Sequence, residues 1–516
     1  MTFTFTQRVY NNMASVASLK EMIRVAYDGE NFEMLDAGTT VNFQSYGQLS
    51  ITFTRTLASP KARVKILAGA LQDANSNTVT EDLITNPLGQ IDEDVEVLLG
   101  GSRVYISSTE ESSISGGRVY AVTMNTTKMT SAVAALGSNT SFTVNMPDGA
   151  YGGKVILNGM SVKQLADKNS TVIVSCCGIS HVFGASQLQL SEALKALGID
   201  AAQPQNVTLE IGISRTGTPY TTDLTSKAQA KTFDVITQPT ELTLVYKSGA
   251  SSWAVTKYPQ YVEKRFTIKP SQAQNKNITV VRVETSGKVN PVPTTIEQKS
   301  GDYYLAAKVR GNGVYGVISG ERYFSDTPNW ATTAVNTLAS RMILQGVNGV
   351  AFRAQDAVSR AEVAEMITRA LGLLTDKSGA SKFLDVTLTD WYFSSTSIAV
   401  ENDLIRGYGD STFRPERSIT RQEVMTIMAR VMRFLDGKAT GTDSTMTKTE
   451  AERILAKFKD ADTVSDWAKV NMAECVKAQV VKGDDLGCLN PHANLTRTEM
   501  SQLIYNLLVR YSLISQ

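Results

Sequence analysis

Cysteine is scarce in this chain of 516 residues, which contains four: Cys176, Cys177, Cys475 and Cys488. Four cysteines spread over a chain of this length do not form the disulfide framework of a small secreted domain. The adjacent Cys176 and Cys177 could close only a small, strained ring. We therefore interpret both as free thiols in a buried strand.

Histidine is scarcer still, because the chain contains only His181 and His492. Two histidines cannot build a histidine-rich metal site, and the sequence contains neither an HExxH motif nor a P-loop. We interpret His181 as a loop or packing residue and His492 as a solvated loop residue, with a place in the lining of a groove as the alternative for His492. The spacing of Asp460, Asp462 and Asp466 departs from that of an EF-hand loop. The sequence therefore predicts no metal ion, no cofactor and no catalytic residue.

An excess of basic over acidic residues, or the reverse, and long apolar runs are also missing. The 51 basic and 50 acidic residues leave a net charge of +1, which gives no electrostatic footprint for nucleic acid or an anionic membrane. No apolar run reaches the roughly 18–20 residues of a membrane span. Residues 1–7 have neither a charged nor an apolar segment, so no export signal is visible. A surface location would then imply a processed or truncated chain, or a start inside a longer reading frame.

What the chain does contain is a mainly β N-terminal part. Short alternating or β-branched runs, such as 48–55, 208–214 and 278–284, are separated by Gly, Asn, Ser and Asp, and helical patches lie at 13–27 and 188–197. We expect a multidomain protein with α+β character in part of this half. The expected domains are a mainly β domain with an N-terminal helix at 1–155, an α+β or β domain at 156–240, and a small all-β domain at 241–320.

After Gly320 the chain repeats itself three times. Three tryptophans align the copies, and a glycine follows each after 16 residues, an apolar ring or leucine after 22, and an arginine after 30. The aligned positions are Trp330, Trp391 and Trp467; Gly346, Gly407 and Gly483; Phe352, Phe413 and Leu489; and Arg360, Arg421 and Arg497. We expect copy one at 321–375, copy two at 376–435, a polar linker at 436–450, and copy three at 451–512.

Each copy is predicted to be a pair of helices. It begins with a Phe-X-Asp segment that ends at Asp326, Asp385 or Asp460. A first helix should run from the tryptophan to the shared glycine, which suits a left-handed cap. A second helix should begin at a capping box, in which a Ser or Thr and a Glu three residues later satisfy each other's amides. The boxes are 359–362, 420–423 and 496–499, and an apolar stripe that we interpret as core follows each.

The arginine occupies the first position of the second helix in all three copies. Helix N-termini present free amides and favour anions, and a guanidinium adds a planar fork that matches a carboxylate. We expect the side chain of Arg421 to point outward. A structural ion pair or a solvated side chain is the alternative interpretation. The nearby tryptophan ring suits a sugar face, although a structural role for the ring is equally compatible with the sequence.

These capping boxes, together with the segment Gly407-Tyr-Gly-Asp-Ser-Thr-Phe-Arg-Pro415, resemble the surface-layer homology family over residues 321–512. The resemblance implies an all-α module in which three repeats pack with pseudo-threefold symmetry. Its grooves would bind a secondary cell-wall polysaccharide, through a pyruvylated amino sugar. The three arginines would then meet the pyruvyl carboxylate, while the tryptophans, the three aspartates and the shared glycines would shape the groove and hold sugar hydroxyls.

Copy two is closest to the family pattern, which makes Arg421 the clearest candidate. Copy one has Ala354 in place of the loop proline and Ser359 in place of threonine, and copy three has Leu489 in place of the aromatic. Residues 241–320 are also similar to the small β unit that often precedes this module in surface proteins. Residues 1–240 resemble no family that we recognise.

The resemblance implies a non-enzymatic protein of the bacterial cell surface, cell wall or S-layer, anchored non-covalently and able to self-associate in a surface lattice. No nucleic acid partner is expected. The alternative is an exported wall-associated enzyme, for example a glycan hydrolase, that uses the module as an anchor. Such an enzyme needs paired carboxylates in a cleft. The acidic run at 92–96 is more typical of a solvated turn.

We predict that Cys475 and Cys488 are not bridged. Cys475 lies eight residues after its tryptophan, where the other copies have Leu338 and Ala399. A free cysteine packs at such an apolar position as a small hydrophobic residue. Peptide mapping by mass spectrometry under non-reducing conditions should therefore recover both as free thiols, and a linked Cys475–Cys488 peptide would contradict the prediction.

Overall fold

The structure is a computed structural model that describes most of the chain from residue 95 onwards. It describes 95–515 except for 105–106, 115–116, 230–232, 273–276, 300, 348–350, 378, 439–443 and 445. Before residue 95 it describes the segments 2–4, 9–11, 16–26, 33–35, 39–44, 48–52, 63–67, 71–73 and 83–84. The chain divides into two compact units, Met1–Asp94 and Val95–Gln516.

The described segments of the first unit are short strands and one helix. One sheet has the order Thr2–Thr4, Gln48–Thr52, Thr40–Gln44; a second has the order Glu33–Met34, Ile23–Ala26, Arg63–Ile66, Leu83–Ile84; and Val9–Asn11 pairs with Leu71–Asp73. The helix Val16–Glu21 lies inside the patch predicted at 13–27. Leu19, Ile23 and Val25 are fully buried.

Two large sheets form the β part of the second unit. The first has the order Ser102–Arg103, Glu96–Leu99, Ser141–Asn145, Thr171–Cys176, Ile179–Gly184, Lys257–Ile268, Asp302–Gly311, Thr294–Lys299. The second has the order Ser107–Ile114, Gly117–Met124, Gly152–Asn158, Thr208–Arg215, Thr240–Ser248, Gly313–Ser319, Ile278–Val283, Val289–Pro291. Ser251–Ala254 and Asp234–Val235 pair with the second sheet at Thr240–Ser248 and Gly313–Ser319.

The two sheets share one apolar core. Val144 and Val174 of the first sheet belong to the same buried cluster as Val155, Ile211 and Leu244 of the second. Burial alternates along strands such as Ser141–Asn145, Thr171–Cys176 and Thr208–Arg215, which is the period of two that the sequence pattern indicated. The mainly β prediction for this half is confirmed.

The sheets cross the domain boundaries expected near residues 155 and 240. The strand Gly152–Asn158 contains residue 155, and its sheet continues on both sides of residue 240. A local sequence pattern predicts a strand, but it does not predict which sheet the strand joins, because the neighbouring strands are distant in the sequence. The helix predicted at 188–197 is present as Leu190–Ala196. Helices that were not predicted, and short 3₁₀ turns, lie at Thr126–Ala134, Gly159–Asp167, Thr218–Gln229, Ala185–Leu188, Pro204–Asn206 and Pro270–Gln272.

The cysteines are free, and one of them differs from its expected position. Cys176 is buried at the end of a strand, but Cys177 follows in a turn with a φ of 61°, so only Cys176 lies in the strand. Cys475 is buried, and its Sγ donates to the carbonyl of Met425 at 3.2 Å. Its packing position agrees with the prediction from the repeat alignment.

From residue 329 the described chain is helical, which confirms the predicted change of structure. The helices are Thr332–Ser340, Arg360–Ala370, Phe393–Glu401, Arg421–Leu435, Lys448–Leu455, Asp466–Lys477 and Arg497–Arg510, with 3₁₀ turns at Asn329–Ala331 and Ala461–Thr463. The helix Lys448–Leu455 begins inside the segment 436–450 that was interpreted as a linker. All three copies contribute to one buried core. None of the described helices is long and apolar enough to cross a membrane.

Candidate functional site: the grooves between the helical repeats

The second helix of each copy begins at the predicted capping box. In copy one, the backbone N of Ser359 donates to Glu362 Oε2 at 2.8 Å, and the serine Oγ accepts from the backbone N of Glu362 at 3.3 Å. The same reciprocal bonds join Thr420 to Glu423 and Thr496 to Glu499. The three boxes place the following arginine at an identical point of each copy.

The loop before each capping box closes a ring around the pseudo-threefold axis. The backbone N of Val358 donates to the carbonyl of Leu495, that of Leu495 to Ile419, and that of Ile419 back to Val358. The N···O distances are 2.9, 3.0 and 3.3 Å, and all three side chains are fully buried. Each copy is therefore hydrogen-bonded to both of the others.

The expectation of free amides at the helix N-termini is wrong. Arg360 N donates to the carbonyl of Arg417 at 3.0 Å, and Ala361 N to that of Pro415 at 2.9 Å, both in the loop of copy two. The loops of copies three and one supply the same carbonyls to the helices that begin at Arg421 and Arg497. Because a neighbouring copy already occupies these donors, they cannot by themselves hold an anion.

The arginine side chains also reach into the next copy, so the expectation that the Arg421 side chain points outward is wrong. Each Nε donates to a loop carbonyl: Arg360 to Phe413 at 2.8 Å, Arg421 to Leu489 at 2.8 Å, and Arg497 to Phe352 at 2.9 Å. Arg421 also pairs with Glu499 at 2.8 Å, and Arg497 pairs with Glu362. The glutamate of each of these two capping boxes thus has a second partner, which the spacing within one copy did not reveal.

The amino groups of the guanidinium distinguish Arg497, whose three nitrogens all make hydrogen bonds, from Arg360 and Arg421, each of which uses two. The Nη2 of Arg360 donates to the carbonyl of Arg406 at 2.8 Å, and that of Arg497 to the carbonyl of Gln345 at 3.0 Å. Among the described contacts of Arg421, only Nε and Nη1 make hydrogen bonds. Of the two arginines that line the described grooves, Arg421 therefore keeps one amino group that no described residue engages, and Arg497 keeps none.

The aspartates of the Phe-X-Asp segments fasten the loop of their own copy. Asp385 Oδ1 accepts from Phe413 N and Oδ2 from Arg414 N, both at 2.7 Å. Asp460 does the same for the loop of copy three. Asp326 accepts from three loop amides, the third being that of Ala354, whose equivalent in the other copies is a proline without an N–H. Burial alone would raise the pKa of Asp326, but these amide bonds hold it below its usual value.

The shared glycines are required by close packing, and the expected left-handed cap lies elsewhere. The first helices end six residues earlier, and the residues with positive φ near their ends are Met342, Asp403 and Gln479. A Cβ on Gly407 would lie 2.1 Å from Phe383 Cε1 and 2.9 Å from the carbonyl O of Thr412. Gly346 meets Phe324 and Gly483 meets Phe458 in the same way.

The three tryptophans are exposed to the same degree in equivalent places. Trp330, Trp391 and Trp467 are 60%, 61% and 55% exposed. Large exposed rings in a well-packed module indicate a contact surface, because burial of such a ring would stabilise the fold. The equivalence of the copies extends to these residues.

Two grooves combine all three copies. The copy-three groove has a volume of about 1000 Å³ and is lined by Gly483 and Lys482 of copy three, Arg421 of copy two and Trp330 of copy one. The copy-one groove is smaller, about 290 Å³, and is lined by Arg353 and Glu362 of copy one, Arg497 of copy three and Trp391 of copy two. The arginine, the loop and the ring of one groove thus come from three different copies.

The copy-two groove, defined by Arg360 and the loop 407–415, is built differently. The Tyr408 ring lies against the guanidinium groups of Arg360 at 4.7 Å and Arg414 at 4.2 Å. The Phe413 ring lies 4.8 Å from the guanidinium of Arg360, as the Phe352 ring does from that of Arg497 in the copy-one groove, so Tyr408 is the difference. Burial lowers the pKa of Arg360, although an arginine stays charged at neutral pH. Tyr408 occupies the space over this arginine, and no pattern shared by the three copies could have indicated it.

Comparison with known proteins assigns these repeats to a family. Residues 323–364, 382–425 and 457–501 each match the S-layer homology domain. The chain carries three of these domains, which confirms the resemblance stated from the capping boxes. The matched segments contain the three tryptophans, the three arginines and the loops that line the grooves.

Relatives of this chain include enzymes and surface proteins. It is 33% identical over 196 residues to the amylopullulanase of Thermoanaerobacterium thermosulfurigenes, which is 38% of this chain and 10% of the relative. It is 30% identical over 181 residues to the surface-layer 125 kDa protein of Lysinibacillus sphaericus, 34% of this chain and 14% of the relative. It is 29% identical over 172 residues to the cellulosome-anchoring protein of Acetivibrio thermocellus, 32% and 35%. The matches thus span 10–35% of these relatives' lengths.

We predict that Gly407→Ala destabilises the helical module whereas Gly409→Ala does not. The new methyl group at residue 407 would overlap Phe383, at a cost of roughly 1–3 kcal/mol in the free energy of unfolding. A Cβ at Gly409 meets no atom within 4 Å, so its change should stay within about 0.5 kcal/mol. Urea unfolding of both variants followed by circular dichroism tests this, and equal stabilities would contradict it.

Proposed function

Because the chain carries three S-layer homology domains, we propose that it is a non-enzymatic protein of the bacterial cell surface, held non-covalently on the cell wall by this module. The observation that carries the proposal is the exposed tryptophan that recurs in every copy, which lies beside an arginine in both described grooves. Surface-layer and anchoring proteins among the relatives support it. Self-association in a surface lattice is proposed from the same S-layer relatives.

The ligand that we propose is a secondary cell-wall polysaccharide that carries a pyruvylated sugar. A flat indole face contacts the apolar face of a sugar ring, and a guanidinium recognises a carboxylate through paired N–H donors. Ketal-linked pyruvate supplies such a carboxylate on a sugar. The grooves therefore offer the two kinds of contact that this ligand needs.

The copy-three groove is the preferred binding site. It is the larger of the two described grooves, and its Arg421 has an amino group that no described residue engages. Its lining has balanced charges, with Arg421, Lys482 and Arg510 against Asp484, Asp485 and Glu499. The copy-one groove carries two basic and three acidic residues, so it repels an anion more strongly. Arg421, which the sequence already favoured, is therefore the arginine that we propose binds the carboxylate.

In this proposal the aspartates and the shared glycines do not contact the ligand but support the loops that line the grooves. Both carboxylate oxygens of Asp385 and of Asp460 already accept backbone amides. The shared glycines allow the phenylalanine of the same segment to pack beneath the loop. Asp460 and Gly483 thereby hold the loop that forms one wall of the copy-three groove, and Arg421 contacts this loop through its Nε.

The enzyme alternative rests on the relatives that are enzymes, such as the amylopullulanase. Those enzymes match this chain only in the S-layer homology region. The likeness therefore supports a common anchor and gives no support for a common catalytic activity. Incubation of the full chain with wall glycans and analysis for released reducing sugar discriminates the two, because release would establish the enzyme alternative.

We predict that Trp330→Ala weakens binding with little effect on stability. Since the ring is 60% exposed, its loss leaves the core intact, but it removes the proposed sugar-stacking face. A loss of about 1–2 kcal/mol in binding is expected, or about 5- to 30-fold in affinity. Calorimetry of the full chain with pyruvylated wall-polymer fragments measures it. Leu388→Ala is the control, because Leu388 is 58% exposed and lines neither described groove. Wild-type affinity in Trp330→Ala would refute the stacking role.

We predict that Arg421→Ala weakens binding of the pyruvylated fragment by about 10- to 150-fold, the loss of a charge-assisted contact worth roughly 1.5–3 kcal/mol. Arg421→Lys should recover only part of this, because an ammonium cannot form the fork. The buried contacts of Arg421 mean that Arg421→Ala also lowers the melting temperature.

Arg360→Ala is the matched control for that loss of stability. It removes an equivalent contact between copies but leaves the copy-three groove unchanged. The same calorimetry should therefore give near wild-type affinity for this variant. If Arg360→Ala and Arg421→Ala lose binding equally, or if pyruvate-free fragments bind as well as pyruvylated ones, the carboxylate site at Arg421 is wrong.

A further inference from the structure

A polar cluster lies enclosed in the β part of the second unit. Lys264 is fully buried on the strand Lys257–Ile268, and His181 is fully buried opposite it on the strand Ile179–Gly184. Tyr258 lies at the start of the lysine's strand, and Asn312 lies between the strands Asp302–Gly311 and Gly313–Ser319. A lysine is almost never fully buried unless it is paired with an acid or has a specific role.

The partners of the lysine are an amide and an imidazole. Lys264 Nζ lies 3.1 Å from Asn312 Oδ1 and is hydrogen-bonded to His181 Nε2. The Tyr258 hydroxyl donates to the same Asn312 Oδ1 at 2.8 Å, and Asn312 Nδ2 donates to the carbonyl of Val255 at 2.7 Å. In the described part of the chain, no ion pair joins Lys264 to a carboxylate. Burial lowers the pKa of Lys264 well below its usual value, which favours the neutral, nucleophilic amine.

We propose that Lys264 and Asn312 form an intramolecular amide cross-link. The Nζ lone pair attacks Asn312 Cγ, and the negative charge that develops on Oδ1 is stabilised by the Tyr258 hydroxyl. His181 Nε2 takes a proton from Nζ and passes it to Nδ2. The Cγ–Nδ2 bond then breaks, and Nδ2 leaves as ammonia. The new Nζ–Cγ bond replaces the old Cγ–Nδ2 bond, so the reaction needs no oxidant, cofactor or metal ion.

The geometry suits His181 for this proton transfer. Burial lowers the pKa of His181 well below its usual value, so the ring is neutral, and the tautomer with its hydrogen on Nδ1 leaves a lone pair on Nε2. The Tyr258 hydroxyl lies 3.4 Å from the same Nε2, so all the reacting groups meet around one point. The imidazole and the amine are both fully buried, whereas Asn312 is half-buried at the edge of the cluster.

The cross-link would lie close to the point where the chain passes from the β part to the helical module. It would join a strand of the first sheet to the residue that directly precedes Gly313–Ser319 of the second. That strand ends four residues before the first S-layer homology domain begins at residue 323. Under the proposed anchoring role, a pull on the domains reaches the β part through this strand, and the cross-link would limit how far it extends.

The intact mass of the full chain, purified and held at neutral pH, tests the proposal. We expect a mass lower than that of the sequence by one ammonia, and a branched peptide that joins Lys264 to residue 312 after proteolysis. Asn312→Asp should end at the same mass by loss of water, because it forms the same amide. Tyr258→Phe should slow the loss several-fold, since the oxyanion loses its donor. A folded wild-type chain, verified by circular dichroism, that keeps the mass of its sequence would overturn the proposal.

A second variant excludes the competing source of ammonia loss. Asn312 precedes Gly313, and an asparagine before a glycine can close on the following amide to a succinimide, which also releases ammonia. Lys264→Met retains that route but removes the nucleophile. Loss of ammonia that persists in Lys264→Met, or an unbranched peptide from the wild type, would assign the mass change to the succinimide and refute the cross-link.

Discussion

The ring of three backbone hydrogen bonds among Val358, Ile419 and Leu495 is the constraint on which the helical module depends. It fixes the loop of one copy against the capped helix of another, so that loop carbonyls reach the first amides of that helix. The same carbonyl-rich loops then accept from the arginines. Buried backbone groups that would otherwise be unpaired are thus satisfied only when all three copies are present.

Each groove is for that reason a property of the assembled module. In the copy-three groove the ring comes from copy one, the guanidinium from copy two and the loop from copy three. An isolated copy would lack the groove residues that the other two copies supply, and it would also lack the hydrogen-bond partners of its own arginine. Because Arg421 both lines a groove and joins two copies, its replacement would lower the stability of the module. Replacement of the exposed Trp330 would change the surface with little effect on stability.

Local physics explains what the sequence could predict. The capping boxes, the apolar stripes and the spacing of the three copies depend on residues a few positions apart, and each is present in the structure. The partners of the helix amides and of the arginines could not be predicted, because they lie in another copy. The left-handed positions at Met342, Asp403 and Gln479 escaped prediction since none is a glycine. Similarly, alternation predicted the β-strands, but it could not show that two sheets extend across residues 155 and 240.

The helical module is also bonded directly to the β part, which bears on how an anchor would transmit force. Tyr261 OH donates to the carbonyl of Leu371, and Asn290 Nδ2 donates to that of Leu374, at 2.8 and 3.1 Å. At the other end of the module, Ser515 Oγ accepts from Ile296 N at 2.6 Å. Copy one and the segment that follows copy three are therefore both hydrogen-bonded to strands of the β part. A pull on one groove would be shared between these contacts and the covalent chain at residue 320, because the three copies are closed into one ring.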